Sequence, residues 1–477
     1  MIQENQRHYY IGILLFSLLI LMPFHSYSQA EVSGVEKVDS FIPYYKYRVS
    51  LKDKKGNGYS LKHPEEFLSS KSIERRNRQG LTVDESDLPI SKKYVDKILV
   101  LGLKAVGCSK WNNTLVVQTN DTSLMEQVAA MPFVTEVRKV ASYLKAPSTS
   151  ISDRHSLIDS LSYAASLMPD SVTDAYGKGA EQIDMLNGRS LHERGYDGSG
   201  MTIAILDGGF YNADIIPMLS NVKILGSKDF ANPDGSVYDT DRHGTMVLSC
   251  MGTNNYGNFI GTSPGASFYL LRSEDGGSEQ LVEEDNWCCA LEYADSVGAD
   301  LVNSSLGYTL FDNEADNVRY KTLDGKTHIC SRSASMAASK GMVVCNSAGN
   351  SGNKEWKKIG VPADASDILA VGALSPNKHI ATFSSVGDSS DGRVKPDVCA
   401  RGVFCTVIGS NGLLTTANGT SFASPIMCGM VACYWQAHRE LTAMEVIDAI
   451  RQMSDRFEEP DNIFGYGVPD FSLKFKD

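Results

Sequence analysis

Residues 201–210 read MTIAILDGGF. Met201–Leu206 is apolar almost throughout, and the run stops at an acid, Asp207, followed by two glycines. A strand with one face in water alternates apolar and polar residues, whereas a uniformly apolar strand is covered on both faces. Phe268–Leu271, Leu301–Val302, Val343–Cys345 and Ile368–Val371 share this texture. Helical patterns at Glu279–Val297 and Ser331–Lys340 lie between them. Together they predict an α/β fold, a doubly wound and mostly parallel sheet with helices on both faces. Val318–Ile329, with Asp324-Gly325 at its centre, reads as an inserted β-hairpin.

The texture differs upstream of Tyr176. Tyr45–Leu51, Ala105–Ser109, Thr114–Thr119 and Val134–Ala141 read as strands. Pro64–Gln79, Ser91–Leu101 and Thr122–Met131 read as helices, the last with Thr122 as its cap. That order predicts a small α+β unit of the split β-α-β type. Residues 1–28 carry Arg7, the apolar run Ile11–Phe24 and Ser26-Tyr27-Ser28, the pattern of a cleaved secretory signal. The expected organisation is therefore a signal peptide (1–28), the α+β unit (29–145), a Ser-, Asp- and Pro-rich linker (146–175) and the large α/β domain (176–477). Secretion and no stable membrane anchor after signal removal follow from this reading.

A formal net charge of −12, with 21% charged residues, excludes nucleic acid as a natural partner, since phosphate binding needs a basic face. The acidity reads as diffuse surface charge. Ten cysteines are expected to act mostly as buried small hydrophobes, because their placement does not support a disulfide framework.

Three strings carry the chemistry. Asp207 ends the strand in MTIAILDGGF, His243 opens a helix in DRHGTMVLSCMG, and Ser421 starts a helix in NGTSFASP. Carboxyl ends of strands form the rim of such a sheet, where a hydroxyl, an imidazole and a carboxylate can converge. A serine hydroxyl needs a base to take its proton during attack, and a neutral imidazole backed by a carboxylate supplies one. The oxyanion formed then needs donors already in place. The Ser421 N–H at a helix start is one candidate, and the Asn350 side-chain amide in VVCNSAGNSG is the other.

In the order Asp…His…Ser, and in ILDGG, HGT, SAGNSG and GTSFASP, the sequence resembles the subtilisin-like serine proteases. The resemblance spans roughly Tyr176 to Phe471. It implies a serine endopeptidase acting on proteins or peptides, with Asp207, His243 and Ser421 catalytic and Asn350 in the oxyanion hole. NSSLG then supplies Ser305, Leu306 and Gly307 as a substrate wall, opposite Ser347, Ala348 and Gly349. These small uncharged walls predict a neutral or apolar substrate side chain before the cleaved bond. The resemblance also implies that the α+β unit is a ferredoxin-like propeptide, a partner that blocks the cleft until removed. No cofactor or metal is assigned. Calcium occurs in the family, but FYNADIIP follows Asp207 where acidic ligands often stand. Arg401 replaces a usual proline in KPDVCARG. The alternatives are an inactive subtilase-fold binding protein and a serine esterase, though the chain lacks the esterase G-x-S-x-G elbow.

Overall fold

The computed structural model describes residues 42–144 and 174–472. The signal-peptide reading and nearly all of the linker lie outside these residues.

Four strands, β1 (Tyr44–Leu51), β2 (Lys104–Ser109), β3 (Thr114–Thr119) and β4 (Val134–Tyr143), form an antiparallel sheet in the order β2-β3-β1-β4. Helices α1 (Ser70–Arg78) and α2 (Lys92–Leu99) connect β1 to β2, and α3 (Leu124–Ala129) connects β3 to β4. The side chains of Ser69 and Ser91 accept from the N–H groups of Ser72 and Tyr94 and so start α1 and α2. Ser69 thereby divides the single helix expected over Pro64–Gln79 into a 3₁₀ turn and α1. Thr122 is not the cap of α3, which begins after Ser123 without a side-chain cap. Alternation along β3 gives the sheet two apolar faces. Leu115 and Val117 pack with Val49 and Ile98 beneath the unit's own helices, while Val116 faces the larger domain.

The larger domain is built on seven parallel strands: β5 (Thr202–Asp207), β6 (Lys223–Asp229), β7 (Ser267–Arg272), β8 (Leu301–Ser304), β9 (Val343–Ser347), β10 (Leu369–Leu374) and β11 (Val398–Arg401). Their order is β11-β10-β9-β8-β5-β7-β6. Its helices are α4 (Ala180–Asp184), α5 (Arg189–Glu193), α6 (His243–Gly252), α7 (Val282–Val297), α8 (Ile329–Ser339), α9 (Thr420–Ala437) and α10 (Ala443–Gln452). Both faces of the sheet are covered, as expected. Ile203 and Ile205 pack with Val247, Ile426 and Met427 of α6 and α9. Ala204 and Leu206 turn the other way, toward Trp287 and Leu291 of α7 and Ala334 of α8. Each aliphatic side chain buried in this way contributes about 1.5–3 kcal/mol.

Two expectations change. Val318–Ile329 is not a hairpin: a 3₁₀ turn at Tyr320–Thr322 leads through Asp324-Gly325 into α8. Asp324 Oδ1 accepts from the N–H groups of Lys326 and Thr327, at 2.8 and 2.7 Å, which commits donors that a strand ladder would use. The acidity is also not all at the surface. Asp285, Glu292 and Asp295 of α7 are buried against the small unit. Arg48 grips Asp285 with two bonds of 2.6 and 2.7 Å. Arg75 and Arg76 of α1 and Lys110 converge on Asp295. Glu292 accepts from Ser109 and from the N–H groups of Lys110 and Trp111. All ten cysteines are free thiols, and all but Cys108 are buried.

Candidate active site

Asp207 ends β5 at the rim of the sheet and is fully buried. It presents both carboxylate oxygens to His243 Nδ1, at 2.8 and 3.1 Å. The imidazole reaches this position because α6 begins almost against the loop after β5. The Gly244 N–H donates to the Gly209 carbonyl at 2.9 Å, and a Cβ on Gly244 would lie 2.4 Å from that oxygen. The glycine of HGT is thus a condition of close approach. Burial disfavours an imidazolium at His243, but Asp207 outweighs it and raises the pKa above the ordinary value.

Ser421 lies in the first turn of α9. The ring of the next residue, Phe422, is centred 5.7 Å from that of His243. The Ser421 hydroxyl donates to the Ser305 carbonyl at 3.3 Å, and no hydrogen bond joins it to His243 in this structure. Ser305 answers with its own hydroxyl, which donates to the Ser421 carbonyl at 2.8 Å. That carbonyl would ordinarily accept from the N–H four residues on, but Pro425 stands there and has none. The proline inside GTSFASP therefore frees an acceptor that Ser305 occupies, tying the substrate wall to the helix start.

Asn350 lies on the loop after β9. Its Oδ1 accepts from the Thr420 N–H at 2.9 Å and from the Thr420 hydroxyl at 3.0 Å. Because an N–H can donate only to an oxygen there, the orientation of the amide is fixed, and Nδ2 is the group left to donate. The neighbouring Gly349 has φ 108°, and a Cβ on it would meet Ser385 Oγ at 2.9 Å.

Ser305, Leu306, Gly307, Ser347, Ala348, Gly349, Asn350 and Ser421 all border one cavity of about 240 Å³. Every candidate wall residue is present. The lining also includes Glu274 and Glu279, which sequence reasoning missed. The helix expected from Glu279 begins only at Val282, which leaves Glu279 in a loop at the cavity edge. Phe210–Pro217 offers Asp214 as its one carboxylate, so the stretch after Asp207 does not fit a calcium site. Arg401 ties its loop together, donating to the carbonyls of Val403 and Phe404 at 3.2 and 3.0 Å and pairing with Glu181.

A family model described as the subtilase family, Peptidase S8, matches residues 198–467. The chain belongs to the subtilase family. A second model, the Peptidase S8 propeptide domain of Bacteroidota, matches residues 46–155, so this subtilase carries a propeptide domain, as zymogens of the family do. The chain is similar to serine protease AprX of Bacillus subtilis (strain 168), 29% identical over 314 residues, 59% of this chain and 66% of that protein. It is also similar to subtilisin NAT of Bacillus subtilis subsp. natto, 29% identical over 290 residues, 60% of this chain and 68% of that one. The matches thus span about two thirds of the length of these relatives. The solved structure of the MycP3 protease from the type VII (ESX-3) secretion system is similar in fold. Its TM-score is 0.50 at 20% identity, covering 64% of this chain and 89% of that one. The family is one of serine-type endopeptidases. Among the described residues, no helix is long and apolar enough to cross a membrane.

Proposed function

We propose that this subtilase is a secreted serine endopeptidase made as a zymogen, with Asp207, His243 and Ser421 as its triad. The observation that carries the reading is a half-buried His243 held by buried Asp207, close to Phe422, the residue after a serine whose cavity also holds the Asn350 amide. In the reaction, the Ser421 hydroxyl leaves the Ser305 carbonyl, gives its proton to His243 Nε2 and attacks the substrate carbonyl. Asp207 keeps the other nitrogen protonated and stabilises the imidazolium. The Ser421 N–H, in the first turn of α9, and Asn350 Nδ2 donate to the oxyanion. The imidazolium then protonates the leaving amine, and water hydrolyses the acyl-enzyme by the same path in reverse.

The pattern of residues 1–28 supports export. The inhibitor reading of the amino-terminal unit is supported by where β4 ends: the Ser142 N–H donates to Gln280 Oε1 at 2.7 Å, beside Glu279 of the cavity. Fluorophosphonate labelling and casein hydrolysis test the reading. Wild type should label at Ser421 and cut casein. Ser421→Ala should do neither, with turnover lower by up to about 10⁶, the loss subtilisin suffers when its serine is removed. An unlabelled wild type would favour a binding protein, and labelling with ester but no casein cleavage would favour an esterase.

A further inference from the structure

The cavity beside Ser421 carries acidic groups that the acyl-transfer steps do not use. Glu274, Glu279 and Glu283 bring carboxylate oxygens within 4.8 Å of one another. Two of the three line the cavity itself, and Glu283 stands in the first turn of α7. Glu274 Oε1 is already engaged, accepting from the Tyr308 hydroxyl at 2.6 Å and the Ser273 hydroxyl at 3.1 Å. Glu283 accepts from the Asp275 N–H at 2.9 Å through Oε1, but its Oε2 has no partner although the residue is only 1% exposed. Among the described residues, no Lys, Arg or His forms an ion pair with any of the three. A buried carboxylate oxygen without a donor costs stability, so a native site of this kind calls for one. Burial, and then neighbouring carboxylates, raise all three pKa values. Glu274 is pushed up to about 7, Glu279 to about 7 and Glu283 to about 10, so the cluster holds protons until a nearby cation stabilises its ionised form.

We propose that this cluster is a specificity site for a basic substrate residue, a Lys or Arg whose head group enters the cavity and donates to Glu279, with Glu274 and the buried Glu283 adding negative charge within 4.8 Å. The proposal rests on Ser421 being the nucleophile, because the same cavity then receives the bound peptide. A long basic side chain suits the space: its methylenes lie along Leu306 and Ala348, and its N–H groups meet the Glu279 carboxylate at the cavity edge. A calcium ion fits less well, since it takes about 6–8 oxygen ligands and two of these carboxylates each have one oxygen engaged. The small walls alone point to a neutral side chain, and the carboxylates behind them reverse that expectation.

Peptide-library profiling of wild type, Glu279→Gln and Glu283→Gln reads the proposal, with fluorophosphonate labelling of each protein beside it. Wild type should enrich Lys or Arg at one fixed position relative to the cleaved bond. Glu279→Gln should lower kcat/KM for a basic reporter by about 10–100-fold, the loss of one charge-assisted hydrogen bond, and Glu283→Gln should shift it in the same direction by less. The loss should be smaller for a reporter with Leu at that position than for the basic one. Glu279 is the most open of the three, so its variant keeps the test informative if Glu283→Gln fails to fold. A labelled, active enzyme with no basic preference overturns the proposal, as does a preference that survives Glu279→Gln. Activity abolished by EDTA and restored by calcium, without basic preference, overturns it in favour of a cation site. Absence of labelling removes the catalytic reading and this proposal with it.

Discussion

Asp207 gives both carboxylate oxygens to one nitrogen of His243, and that geometry has a measurable consequence. His243 must be neutral to accept the serine proton, and Asp207 raises its pKa above the ordinary value. The acid limb of kcat/KM should therefore lie above about pH 6.5, the unperturbed histidine value, with activity lost as pH falls through it. A limb below pH 6 in the folded enzyme would contradict the assignment. Asn350→Ala should lower kcat about 10²–10³-fold with little change in KM, because Nδ2 meets the oxyanion rather than the ground state. Ser305→Ala strips the Ser421 carbonyl of its donor and should cost about 1–3 kcal/mol in unfolding free energy, read by urea titration. The triad candidates and Asn350 were legible because each stands at the end of an element with a short, specific string around it. Glu274 and Glu279 were not, because an acid in the loop after a strand and another ahead of a helix read as ordinary surface residues.

Among the elements, legibility followed burial. Strands covered on both faces, such as β5 and β9, stand out as apolar runs. The edge strand β6 reads KILGSKD and pairs on one side only, so three of its four exposed positions, Lys223, Ser227 and Lys228, are polar and the apolar signal fades. Helix α7 hid a different property. Its apolar side was evident, but Asp285, Glu292 and Asp295 find their partners some 180–240 residues away in sequence, beyond the reach of any local pattern. Burial alone would raise the pKa of Asp295, but Lys110, Arg75 and Arg76 outweigh it and hold the carboxyl below its usual range. Stability from this ionised group is thus present above the unfolded carboxylate pKa, about 3.9, and is lost only as pH falls through the lower folded value. Asp295→Ala in the full-length Ser421→Ala background should cost about 3–5 kcal/mol at pH 7, since three cations lose their common partner. The difference between the two proteins should persist at pH 5, as read by urea denaturation at both pH values. A difference that vanishes by pH 5 would show that Asp295 is not held in its ionised form.

At the scale of the molecule, two sheets share one helix: α7 covers a face of the seven-stranded sheet and receives Val116, Val140 and Ala141 of the small one. The wild type is expected to mature to a fragment beginning between Ala146 and Tyr176, while Ser421→Ala stays uncut there. Sequencing the amino termini of both checks this, and an active wild type that keeps residues 29–145 attached would make the small unit a permanent part. The buried charges of α7 give the arrangement a direction in time. The chain is synthesised from its amino end, so Arg48, Arg75, Arg76 and Lys110 have left the ribosome before Asp285, Glu292 and Asp295 are made. Asp285 and Asp295 thus emerge with their counterions already waiting, and Glu292 with its hydrogen-bond donors. A peptidase domain synthesised without residues 42–144 would have to fold around α7 with those three carboxylates lacking their partners, and supplying the missing unit in trans would return the partners too late for that first attempt.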